Sequence, residues 1–99
     1  MSNAATLVVT AVPNADEMES VQAYLQGVMP LLTGAGGQLV RRLKTAQVIN
    51  GRPAGMVLVM DFPSVDAVTA MFDSDAYQAL VPTRDRGFCE MNILVTASM

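Results

Sequence analysis

No histidine occurs in the sequence, and cysteine occurs once, at Cys89. The first absence removes the usual base near neutral pH, the proximal ligand of haem and the nitrogen ligands of zinc. The second excludes an internal disulfide and fits a reducing compartment. Together they leave almost nothing from which to build a structural zinc site, and no metal or cofactor is expected. Tryptophan is missing too, charged residues make up only 15%, and the net charge is −3. An acidic chain with six cations lacks the basic face that a phosphate backbone requires, so nucleic acid is not an expected partner. No run approaches the ~18 apolar residues of a membrane span. The first residues lack the basic-then-apolar pattern of a secretory signal. No membrane association and a cytoplasmic location are the expectation. Ser2-Asn3-Ala4 resembles the scar of a removed affinity tag, so residues 1–4 are set apart and a single domain is expected over residues 5–97.

What the chain has in abundance is apolar side chain, 52% of 99 residues. A chain this short buries a modest share of its surface, and apolar surplus is then hidden by association. Residues 5–12 are short and β-branched, which predicts a strand that Pro13 ends. Asn14 and Glu17 have the spacing of a capping box, and Asp16, Glu17 and Glu19 suit the positive end of a helix. Met18, Val21, Leu25, Val28 and Leu32 then recur at spacings of three and four, the stripe of a helix with one buried side. Pro30 is expected to loosen its last turn, and Gly34-Ala35-Gly36-Gly37 to end it. A second strand is predicted over residues 39–49, a turn at residues 50–53, and a third strand over residues 56–60. Ser64 caps a second helix carrying Val65, Val68, Met71 and Phe72. Ser74 caps a further segment with Tyr77 and Leu80, Pro82 breaks or restarts it, and residues 91–96 close the chain as a strand.

The order is β, α, β, β, α, β, the split pattern of an α+β, ferredoxin-like fold with a four-stranded antiparallel sheet. Its helices cover one face. The other face is expected to be apolar as well, because both side-chain parities of Met56–Met60 are apolar, as are Leu7 and Val9 against Val8 and Val12. The simplest cover for that face is the same face of a second copy, so a homodimer is expected.

Three stretches carry a family resemblance. They are Gly36-Gly37-Gln38-Leu39-Val40-Arg41, Asp61-Phe62-Pro63-Ser64, and Phe72-Asp73-Ser74-Asp75-Ala76-Tyr77-Gln78-Ala79-Leu80 with Arg84 beyond it. Together they are similar to the domain of unknown function 1330 family, a set of dimeric α/β-barrel proteins. Arg42 and Leu43 stand where that family usually continues with glycine, and Phe72 lies near its usual tryptophan. The resemblance implies the fold and the dimer, and no assigned reaction. Wider relatives of the barrel include cofactor-free monooxygenases and isomerases.

Tyr77 and Arg84 are the leading candidates for a ligand site. A guanidinium can fork a carboxylate or enolate, and a phenol can donate to the same oxygen. The plainer alternative packs the tyrosine on the sheet and pairs the arginine with Asp85. Arg41 and Arg42 point to opposite faces of a regular strand, so one of them can face a ligand, with Asp61 as a second candidate or an ion-pair partner. Ser74 is a cap rather than a nucleophile, since no histidine can activate it. Eight methionines suit either an adaptable cavity or plain core filling. Cys89 is expected to be buried and inert. The expected function is binding of a small apolar or acidic ligand between sheet and helices, at a pocket edged by Tyr77 and Arg84. A cofactor-independent monooxygenase or isomerase and a purely structural module are the two alternatives.

Overall fold

The computed structural model describes residues 4–52 and 55–99. Its elements run β1 (Ala5–Pro13), α1 (Met18–Gly34), β2 (Gln38–Lys44), β3 (Met56–Phe62), α2 (Val65–Asp73), α3 (Asp75–Gln78), α4 (Val81–Gly87) and β4 (Phe88–Ala97). The sheet has the order β2-β3-β1-β4 with every pairing antiparallel, as the βαββαβ reading requires. Among the described residues no helix is long and apolar enough to cross a membrane.

Strand alternation divides the sheet cleanly. Leu7 pairs with Met60 and Val95, and Val9 with Leu58 and Ile93, so these residues share the helix-covered face. Leu7, Met60 and Val68 are fully buried there, beside Val21, Val28, Leu32 and Phe62. Val8, Val57, Val59 and Leu94 fall on the opposite parity, which carries no helix.

Two of the expected serine caps form. Ser64 Oγ accepts from the amide of Ala67 at 3.0 Å, and Ser74 Oγ accepts from that of Tyr77 at 3.2 Å. Pro82 lies in the first turn of α4, where its missing amide costs nothing, so it restarts the helix. The capping box at Asn14 does not form. Asn14 Oδ1 accepts from Asp16 in a 3-10 turn over Ala15–Glu17, and Glu17 turns forward to accept from Ser20 Oγ. Helix α1 runs through Pro30 to Gly34, with Thr33 Oγ1 donating to the carbonyls of Met29 and Pro30. Met18 is outside the buried stripe and Tyr24, 4% exposed, is inside it.

The second strand is shorter than the expected 39–49. It ends at Lys44, opposite Met56, because β3 begins there and the residues beyond have no strand to pair with. Val48 and Ile49, whose β-branching suggested a longer strand, stand in solvent. The expected turn at residues 50–53 thus lies within a longer connection between β2 and β3. This connection is tied back by Thr45 N–H to Gly55 O, by Gly55 N–H to Ala11 O, and by an ion pair between Arg52 and Glu90 on β4. Pro53 and the tag-like Ser2-Asn3 lie outside the described residues. The third and fourth strands extend further than expected, to Phe62 and from Phe88.

Gly87 sets the distance between α4 and α1. A Cβ built on it would stand 2.9 Å from Val21 N and 3.0 Å from the Ser20 carbonyl carbon, both backbone atoms that cannot rotate away. Gly87→Ala is expected to cost about 1–3 kcal/mol by forcing the helices apart. A fall in the urea midpoint at unchanged slope checks this; an unchanged midpoint contradicts it.

Candidate functional site

Between α1 and the helix-covered face of the sheet lies a cleft of about 980 Å³. Alternation supplies its floor, with Val9 and Ala11 from β1, Met56 and Leu58 from β3, and Met91 and Ile93 from β4. Leu25, Val28, Met29 and Leu32 of α1 form the roof, and Tyr24, Phe72 and Phe88 also contribute. The volume is at the upper end of the range for small-molecule sites, and the lining is mostly aliphatic and aromatic, as in such sites. Three of the eight methionines, Met29, Met56 and Met91, line it, whereas Met60 and Met71 fill the core.

Strand β2 is exposed along its full length. No helix covers it, so the cleft opens at that edge, and Arg42 and Lys44 stand among its lining residues. They are aimed there by an irregularity in the strand. Leu39 pairs with Met60 on the helix-covered face, but the register shifts before Arg41, which pairs with Val59 on the open face. Val40 is the extra residue, and past it Arg42 and Lys44 pair with Leu58 and Met56 on the cleft side.

Tyr24 presents its ring to the cleft and its hydroxyl to the protein. Tyr24 Oη and Tyr77 Oη are 2.9 Å apart, and Arg84 Nη1 donates to Tyr77 Oη at 3.1 Å. The rings of Phe88, Tyr24, Tyr77 and Phe72 meet edge to face in that order, with centroids 4.7–6.2 Å apart. Burial, reinforced by the hydrogen bond shared with Tyr77, pushes the Tyr24 phenol well above its ordinary pKa. Burial pulls the Arg84 guanidinium down, but its bonds to Tyr77 and Asp85 outweigh this and hold it above its usual value.

The residues singled out in the sequence separate into different places. Tyr77 and Arg84 do meet, but Tyr77 is 2% exposed within the core, and neither residue lines the cleft. Arg84 also donates from Nε to Asp85 at 3.1 Å and borders a separate polar hollow of about 430 Å³ with Cys89 and Glu90. Ser74 caps α3 and donates to Met71 O. Arg41 and Asp61 share the open face, where Asp61 accepts from Thr6 Oγ1 at 2.9 Å. The cleft-side cation of the arginine pair is Arg42, not Arg41. Sequence spacing held the signal for Tyr24, three residues after Val21 and four before Val28. Cys89 is exposed rather than buried, because Phe88 before it takes the inward position.

The tyrosine pair yields a spectroscopic expectation. Tyrosinate absorbance comes from two residues only, with no tryptophan beneath it. Because the folded pKa of Tyr24 is raised, its contribution to stability is complete below the unfolded-chain value of about 10 and is lost as pH rises above it. Above about pH 10 the folded protein is expected to fall short of the two-tyrosine plateau that urea-unfolded protein reaches. Full ionisation of both tyrosines without unfolding contradicts the buried pair.

No curated protein sequence matches the chain. Among solved structures, a protein of unknown function from Rhodopseudomonas palustris matches with a TM-score of 0.82 at 16% identity, over 100% of this chain and 85% of that one. A dimeric protein of unknown function and ferredoxin-like fold from Bacteroides fragilis matches with a TM-score of 0.62 at 9% identity, over 97% of each chain. A candidate antibiotic biosynthesis monooxygenase from Nitrosomonas europaea matches with a TM-score of 0.63 at 13% identity, over 100% of this chain and 93% of that one. At these identities the likeness is one of fold, and the fold is ferredoxin-like. The sequence itself matches the model for the domain of unknown function DUF1330 over residues 5–98, and the chain belongs to that family.

Proposed function

We propose that the protein is a homodimeric binding domain that holds a small, largely apolar molecule in the cleft beneath α1. The observation that carries this is the cleft itself: about 980 Å³ of mostly apolar lining, with no side chain of the described residues filling it. Water in such a space finds few hydrogen-bonding partners, so an apolar ligand that displaces it gains free energy.

The dimer would use the other side of the sheet, which leaves the cleft free. Val8, Val57, Val59 and Leu94 lie on that face, and Leu94 is 53% exposed. On β1, β3 and β4 several polar groups among them are already paired. Thr6 Oγ1 donates to Asp61, Asn92 Nδ2 to Thr10 Oγ1 at 3.2 Å, and Thr96 Oγ1 to Thr6 O at 2.7 Å. Paired hydroxyls and amides lose less on dehydration than free ones, which lowers the cost of covering the face. The Bacteroides fragilis neighbour, described as dimeric, supports the same reading.

A monooxygenase reading draws on the barrel's wider relatives and on the name of the Nitrosomonas europaea protein, and an isomerase reading on those relatives alone. The phenol nearest the cleft, Tyr24, is engaged by Tyr77, and the only guanidinium beside that pair is itself tied to Asp85. Binding is therefore preferred to catalysis.

Two variants separate the two halves of the proposal. Val59→Lys, on the open face, is expected to give monomers or aggregate in sedimentation velocity; an unchanged dimer would sink the interface. Leu58→Trp, one residue away and facing the cleft, is expected to abolish uptake of a neutral apolar dye while leaving the assembly intact. Undiminished dye binding would remove the cleft as the site.

A further inference from the structure

We infer that the ligand of the cleft is a small amphipathic acid, its apolar body against Met29, Met56 and Leu58 and its anionic head at the β2 edge between Arg42 and Lys44. This rests on the cleft being the binding site and adds a charge, an orientation and a chemical class to it.

The argument begins with which ionisable groups line the cleft. They are Arg42, Lys44 and Tyr24, with no aspartate or glutamate among the described lining residues. The chain as a whole carries three more acids than bases, nine against six, so two cations without a neighbouring acid run against its overall balance. Among the described residues the ion pairs are Arg52 with Glu90 and Arg84 with Asp85, and neither Arg42 nor Lys44 takes part in one. Neither is compensated by a carboxylate of the described residues.

Position adds a direction. The cations stand at the exposed edge strand, whereas Tyr24 has its hydroxyl engaged by Tyr77. The polar end of a ligand is therefore satisfied at the open edge and its apolar part in the interior. The register shift at Val40 reinforces this, because it brings Arg42 and Lys44 onto the cleft parity while sending Arg41 to the other face. A lysine on an edge strand also deters edge-to-edge pairing. That role asks only for charge at the edge, and Arg41 on the far side already supplies it.

The test is displacement of the neutral dye N-phenyl-1-naphthylamine by three chains of equal length, decanoate, 1-decanol and decylammonium, at low salt and below micellar concentrations. Decanoate is expected to bind about five- to tenfold more tightly than decanol, and decylammonium more weakly than either. Each added methylene in the acid series should tighten binding about three- to fourfold. In the Arg42→Gln/Lys44→Gln double variant decanoate should fall to the level of decanol, while decanol is unchanged. Arg42→Lys, which keeps the charge, should retain most of the preference. Both positions are exposed on an edge strand, so folding is not at stake, and an unchanged melting temperature checks it. Equal binding of acid and alcohol by the native protein overturns the inference and leaves the cleft in place. A preference for the acid that survives in the double variant overturns it too. Failure of the dye and all three chains to bind overturns the cleft reading and this inference with it.

Discussion

Helix α4 approaches α1 so closely at Gly87 that one added methyl group would overlap the backbone of Ser20 and Val21. Gly27 makes a similar approach from the other side, where a Cβ would stand 2.7 Å from Leu80 Cδ2. Helices packed this tightly act as one body, and that body spends its contacts on its own members and on β1, β3 and β4. Strand β2 receives no helical cover. The cleft follows from this allocation: α1 is committed sideways to α4, and the space between it and the β2–β3 half of the sheet stays open. Tyr24 and Tyr77 sit within the same packing, which is why their hydroxyls find one another rather than a ligand.

The two faces of the sheet thus differ in what they offer. On the covered face, alternation gives a floor of aliphatic and thioether side chains, with charge only at the outer strand. On the open face, threonine and asparagine are threaded between valines, and their hydrogen bonds run across strands β1, β3 and β4. Such a surface is apolar in what it offers outward although its composition is mixed. A second copy there would stiffen the floor of the cleft from behind without obstructing its mouth.

Much of the architecture was legible because it depends on local signals. Pro13, Ser64, Ser74 and Pro82 mark boundaries whatever the tertiary context, and period-two against period-four hydrophobicity separates strand from helix. The misread parts depend on a partner elsewhere in the chain. The end of β2 at Lys44 is set by where β3 begins, and nothing within residues 45–49 announces it. The shift at Val40 likewise exists only between two strands, so the choice of Arg42 over Arg41 was beyond the reach of spacing. Arg84 meets both Tyr77 and, as in the plainer alternative, Asp85, and such adjacency does not disclose which wall of a cavity a pair occupies. Tyr24 was legible from helical spacing alone, although tyrosine is fully buried less often than valine.

Strand β1 is central in the sheet, yet both of its neighbours, β3 and β4, come from the second half of the chain. During synthesis Ala5–Pro13 leaves the ribosome early and waits with two unpaired edges until residues 56–62 follow, and its second edge is sealed only by residues 88–97. Contacts of such long sequence separation slow folding and lengthen the interval in which an apolar strand is open to wrong pairing. Within the domain β1 is therefore made before β3 and β4 and completed only with β4, and α1 is the helix synthesised in that interval whose residues join the same core.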